Sequence, residues 1–362
     1  MVRRWLMAAV VSFVPSGALA QTPAAPVAPP PDDTPSIKVG TTIYTDYTYT
    51  ESPTATDAGG NTYNPSAFNL TRAYLNITGN ISHLVAFRVT PDIARETGTG
   101  SSLSGSLQFR LKYAFAQFNL DRWMGAGSWA RLGIQQTPWV DFTENLYRYR
   151  FQGTVFSERE GYLSSSDAGA SFHYALPSNY GEVHVGVYNG ENYNKAETND
   201  QKAIMVRGTV RPFAKGSAVL RGLRASVFYD ADHFVKNAER QRFIASASFE
   251  QRYVNASAEY LDTHDRSLAT KAAVPGRGYS IWATPKSSIG LEGLLRLDHF
   301  TPDTTASGQV RQRTILGLAY WFPHKGTVSS SLMLDYDGQT FDGYAPAQPT
   351  QRKIAVHALV NF

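Results

Sequence analysis

The 362-residue chain contains no cysteine. That excludes thiolate chemistry, cysteine metal sites and disulfides, so an exported fold would draw its stability from elsewhere. Long apolar runs are missing too. After Val14 no stretch approaches the roughly 20 apolar residues that a membrane helix needs, and mean hydropathy is −0.30. There is no basic run: 34 Lys and Arg stand against 30 Asp and Glu, so a pI of about 9.0 is no argument for nucleic acid binding. Helical stripes of apolar residues are lacking, and no G-x-S-x-G elbow marks a hydrolase.

Aromatic residues are plentiful, with Tyr 20, Phe 19 and Trp 6, among abundant Gly, Ser and Thr. This composition fits a large antiparallel β protein. The first residues, "MVRRWLMAAVVSFVPSGALA", place Arg3 and Arg4 before an apolar core from Trp5 to Val14 and end in Ala18-Leu19-Ala20. They read as a secretory signal over 1–20, with the mature chain starting at Gln21. Without Arg3 and Arg4 the net charge falls from +4 to +2. Residues 21–35 are a Pro-rich, extended spacer. Residues 36–362 show no further linker and are expected to form one all-β domain.

From Ile37 onward, alternating segments are broken by turn residues. Strands are expected near 36–50, 67–79, 82–92, 106–119, 128–137, 166–176, 181–190, 201–213, 218–231, 240–250, 252–263, 278–286, 288–301, 309–322, 327–338 and 350–362. Most come near the roughly 9–11 residues of a tilted membrane strand, and their number is even, as in bacterial outer-membrane barrels. Short links such as "GNIS", "PSNYG", "EQR" and "FPHKG" alternate with long ones such as "SPTATDAGGNTYNPSA" and "HDRSLATKAAVPGR". That sorting predicts a transmembrane antiparallel β-barrel with short periplasmic turns and long outer loops. In 106–116, Leu107, Phe109, Leu111, Tyr113 and Phe115 alternate with Gln108, Arg110 and Lys112, one face for lipid and one for water. Tyr320, Trp321 and Phe322 are expected in the aromatic girdle. The last strand, "RKIAVHALVNF", ends on Phe362. It resembles the signal read by the barrel assembly machinery, and it is expected to close the barrel against the first strand.

The inward positions of strands two to five carry Arg72, Arg88, Arg110, Lys112 and Arg131, with Asp92 the one carboxylate among them. Cations lining a confined aqueous lumen favour anions, and Arg favours bidentate phosphate, sulfate or carboxylate. An ordinary basic ladder of weak selectivity is the alternative. The third outer loop, Trp139 to Ser165, is a candidate constriction. Its Arg148, Arg150 and Arg159 are expected to face Asp141, Glu144, Glu158 or Glu160 across the lumen, unless the loop is a solvated surface segment.

"FNLTRAYLNITGNIS" (68–82), "LKYAFAQFNL" (111–120), "RLGIQQTPW" (131–139) and "VYNGEN" (187–192) resemble segments of the phosphate-selective porin family (porins O and P). The likeness implies a sixteen-stranded trimeric porin of the bacterial outer membrane. Its surroundings would be outer-membrane lipid and lipopolysaccharide, and its cargo small anionic or polar solutes. The dense lysine ladder of the phosphate-specific members is not matched here.

Other constellations are weaker. "DTHD" (262–265) and "YDADHF" (229–234) set His264 and His233 beside Asp, but at outer strand ends, where solvated charge is the usual outcome. Asp298 and His299 are neighbours in a strand and face opposite ways. Tyr44 and Tyr74 make no continuous aromatic track for sugars. No cofactor, metal or enzymatic activity is expected. The reading is passive diffusion with an anion preference. The alternative is a plugged, adhesive barrel that binds a partner through its loops.

Overall fold

The computed structural model describes residues 33–96, 100–306 and 308–362. The expected signal peptide and residues 21–32 of the spacer lie outside the described residues. Sixteen strands form the wall: β1 Ser36–Ser52, β2 Ser66–Asn80, β3 Val85–Arg95, β4 Leu107–Asn119, β5 Trp129–Gln136, β6 Ser166–Ala175, β7 Gly181–Tyr188, β8 Ala203–Val210, β9 Leu223–Val235, β10 Ala238–Glu250, β11 Val254–Asp265, β12 Val274–Pro285, β13 Leu291–Thr301, β14 Val310–Trp321, β15 Ser329–Asp342 and β16 Gln351–Asn361. Each pairs antiparallel with its chain neighbours, and β16 pairs with β1, so the barrel has no free edge in lipid. The fold is the expected outer-membrane barrel.

At the seam, Thr41 N–H donates to the Phe362 carbonyl at 2.9 Å and Phe362 N–H returns a bond to Thr41 O at 3.0 Å. A Cβ at Gly40 would lie 2.4 Å from that Phe362 oxygen, so the close approach requires glycine here.

Three local departures have physical causes. The third strand starts at Val85, not 82, because the Ser82 hydroxyl accepts the Leu84 and Val85 N–H groups at 3.2 and 3.3 Å and holds a turn. The ninth and tenth strands extend toward each other and meet in a tight hairpin at Lys236-Asn237, where Asn237 takes φ 62°; this outer link is short. Trp321 faces inward against Tyr149 rather than joining the girdle, whereas Tyr320 and Phe322 pack edge to face outside it at 5.0 Å.

The wall has one thin place. β2 and β3 pair only from Ile77–Val89 to Asn80–Ala86. Beyond Val89 the chain meets Pro91, which has no N–H to donate, and a bulge at Thr90/Pro91 shifts the register against β4.

Candidate functional site

The third outer loop folds into the barrel. Pro138 starts helix α1 (Pro138–Tyr147), where its missing N–H costs nothing. Arg148 ends the helix in the left-handed region, φ 63°, with its N–H on the Glu144 carbonyl at 2.9 Å. Beyond it a turn, closed by the Gln152 N–H on the Tyr149 carbonyl at 3.0 Å, reverses the chain; Tyr147, Tyr149 and Phe151 are buried and Arg148 is exposed. A short helix α2 (Phe156–Arg159) leads back to β6.

The loop is anchored by apolar packing. Val140, Leu146, Tyr147, Tyr149, Phe151 and Val155 pack on Trp282, Leu294, Ile315, Ala319, Met333 and Leu359 of β12–β16. Trp139 and Phe156 pack on Tyr188, Met205, Phe228, Ile244, Leu261 and Phe300. Ile244 and Leu261, apolar residues on the inward face of β10 and β11, therefore form part of a dry seat. Their presence on the inward face was the sequence signal for it.

The loop covers β7–β16 and leaves space along β1–β5. A cavity of about 440 Å³ lies between α1 and that wall, lined among others by Tyr74, Arg88, Tyr113, Asp141, Glu144 and Arg148. A second, of about 320 Å³, lies on the periplasmic side and includes Arg131, His184, Arg207 and Arg211.

The five basic side chains of β2–β5 descend one side. Arg110, near the outer end, and Arg72 share the buried carboxylate of Asp92, at 3.8 and 3.2 Å. The Arg72–Asp92 pair spans the stretch where the β2–β3 ladder has lapsed. Arg88 donates to Asn76 at 2.9 Å and Thr90 at 3.0 Å and lies over the Tyr113 ring at 4.4 Å. Arg131 donates to Gln117 at 2.8 Å and Gln136 at 3.1 Å, stacked over Trp129. Lys112 is 2% exposed; its ammonium donates to Ser165 at 2.7 Å among Tyr74, Tyr113 and Tyr193. Lys112 is thus sealed behind the lumen surface. Neither Arg88, Lys112 nor Arg131 has a carboxylate in salt-bridge reach among the described residues. Tyr193 and the shared role of Asp92 carried no sequence signal.

The loop supplies the opposite sign. Arg150 lies 2.7 Å from Glu144 and also pairs with Glu158. Burial raises the Glu144 carboxyl to about 7, against the pull of Arg150. Burial also pushes Glu158 up, but Arg150 outweighs it and the net shift is down. Burial raises Asp141 as well, opposed by Arg131. The other two loop arginines do not meet the loop's acids. Arg148, at the end of α1, reaches Glu292 at 3.4 Å and Arg159, in α2, reaches Asp337 at 3.2 Å, both on the far wall. Glu160 pairs with Arg311 at 2.9 Å.

His357, facing the lumen, bonds Asp335 at 3.0 Å. Asp262 and Asp265 pair with Arg277 and Arg242, and Asp232 with Arg240. Among the described residues no group of three or more His, Asp or Glu is placed to hold a metal ion.

No family model matches the chain, and no curated protein matches it. Solved structures do. An anion-selective porin from Comamonas acidovorans is 12% identical, with a TM-score of 0.63 over 91% of this chain and 100% of that one. The outer membrane channel DcaP of Acinetobacter baumannii is 12% identical, with a TM-score of 0.60 over 91% and 97%. OmpT, an outer membrane protein of Vibrio cholerae, in its trimer form, is 12% identical, with a TM-score of 0.58 over 91% and 100%. At these identities the likeness is one of fold: a closed sixteen-stranded barrel of the porin type.

Proposed function

We propose that the chain is an outer-membrane porin that lets small hydrophilic solutes diffuse past the inserted third loop and prefers anions. The observation that carries this reading is an asymmetry across the passage. The β2–β5 wall holds four arginines and the buried Lys112 against the single carboxylate Asp92, while the loop's Glu144 and Glu158 are both engaged by Arg150. A solute beside Arg88 and Arg131 meets positive charge that is not ion-paired, faced across the cavities by Asp141 of the loop, in a confined space. Such a wall discriminates by charge without a covalent step. The anion-selective porin among the structural neighbours supports the sign, and the motifs resembling the phosphate-selective family make phosphate the first anion to test after chloride. The trimer form among the neighbours supports a homotrimer.

Solute uptake by proteoliposomes tests the reading. Swelling in small anions should outpace swelling in cations of equal size, and both should exceed that of protein-free vesicles. Equal or faster entry of cations would remove the anion preference; no swelling would remove the pore and favour the plugged, partner-binding barrel.

A further inference from the structure

The lipid-facing wall carries a groove of about 610 Å³ over β7–β12, lined mainly by apolar atoms of outward side chains. Its cause is local sequence. Outward positions on β13 and β14 carry Leu295, Leu297, Leu316 and Leu318, all well exposed. On β9–β11 the groove floor is Ala225, Ala245, Ala247 and Ala258. Tyr260, Tyr279 and Ile281 stand at one side and Val183 and Val210 at the other. In a bilayer a hollow of this kind takes something slim and apolar, because a polar occupant would forfeit its hydrogen bonds there.

The periplasmic rim states the rest of the ligand. Val210 and Ala225 flank the β8–β9 turn, residues 211–222, the longest of the short turns. It carries Lys215 and Arg221 together with exposed Phe213, Val219 and Leu220. The β10–β11 turn adds Arg252. Lys215 lies 5.7 Å from the Tyr180 ring and Arg252 5.3 Å from the Tyr253 ring, and both tyrosines are exposed. Amphipathic rings of this kind sit at headgroup level. None of the three cations has a carboxylate in salt-bridge reach among the described residues.

We infer that this face binds an anionic glycerophospholipid of the periplasmic leaflet, with an acyl chain along the alanine floor and its phosphate on Lys215, Arg221 and Arg252. The alanine floor accepts one hydrocarbon chain, and the rim selects by headgroup charge. The inference is independent of what the lumen conducts.

Native mass spectrometry of the full chain in detergent tests it, with phosphatidylglycerol and phosphatidylcholine offered at equal concentration. Retained phosphatidylglycerol adducts are expected, with retention falling about fivefold for each of Lys215→Gln, Arg221→Gln and Arg252→Gln. Ala247→Phe fills the floor and should abolish retention; Ala225→Leu, a smaller change, should weaken it and serves if the first variant folds poorly. Equal retention of the two lipids, or unchanged retention in Ala247→Phe and Ala225→Leu, would overturn the inference. So would a second copy of the chain occupying the face, detected as a dimer that the same variants dissociate.

Discussion

The Arg150 guanidinium sits between two carboxylates of its own loop, 2.7 Å from Glu144 and in direct contact with Glu158. It holds together the acidic side of the passage. Arg150→Gln strands two largely buried carboxylates, a change that costs about 3 kcal/mol or more. The barrel ladder does not depend on it, so the loss should appear as a loosened loop. Single-channel conductance is expected to rise and to become noisier, with the heat resistance of the barrel unchanged.

The pH dependence follows from Glu144. Burial raises its carboxyl from the usual carboxylate range to about 7. A raised acid gains its proton as pH falls through 7, which removes one negative charge from the loop. Anion preference should therefore increase between pH 8 and pH 6, read as a shift in reversal potential. Glu144→Gln should hold the low-pH selectivity throughout. A preference that falls on acidification would contradict the assignment.

Arg88 and Arg131 have no carboxylate in salt-bridge reach among the described residues, and Asp141 of the loop faces them only across the cavities. Arg88→Ala and Arg131→Ala should each lower the chloride-to-potassium permeability ratio while leaving the fold intact. Arg72→Ala acts differently. It leaves Asp92 buried with the more distant Arg110 as its remaining partner, at the place where β2 and β3 lack a ladder. A loss of thermal stability, measured by the heat-induced shift in gel mobility, is expected from Arg72→Ala and not from the other two.

Trp139 is 1% exposed and packs against Phe142 and Phe228 at ring distances of 5.8 and 5.7 Å. Trp139→Ala removes an anchor worth about 3–5 kcal/mol. The third loop should then become sensitive to protease in folded barrels, with β1–β16 protected. A loop as resistant as the parent's would show that the remaining seat holds it alone.

The barrel was legible because period-two alternation and Gly, Pro, Asn or Ser turns mark most strands; in β4 a bulge at Lys112 reverses the phase, so Tyr113 and Phe115, expected toward lipid, are buried on the inward side. Reading errors arose where one side chain overrides the pattern: Ser82 captures two backbone N–H groups and delays β3, and Asn237 makes a hairpin where a loop was expected. The basic wall was legible as well, since Arg72, Arg88, Arg110, Lys112 and Arg131 share one face of four strands. Helix α1 was not. It is only ten residues long, and its apolar residues answer to a seat assembled from Phe228, Ile244, Leu261, Ile315 and Met333, which lie far away in the chain. Likewise the partner of Arg148 depends on its own left-handed conformation at the end of α1, and a non-glycine residue gives no local warning of that conformation.

The most direct test of the central claim is the reversal potential of single channels in a planar bilayer under a potassium chloride gradient. Stable conductance, arriving in threes, is expected, with a potential whose sign favours chloride and which moves toward zero in Arg88→Ala. A potential favouring potassium, or the absence of conductance from correctly folded barrels, would contradict it.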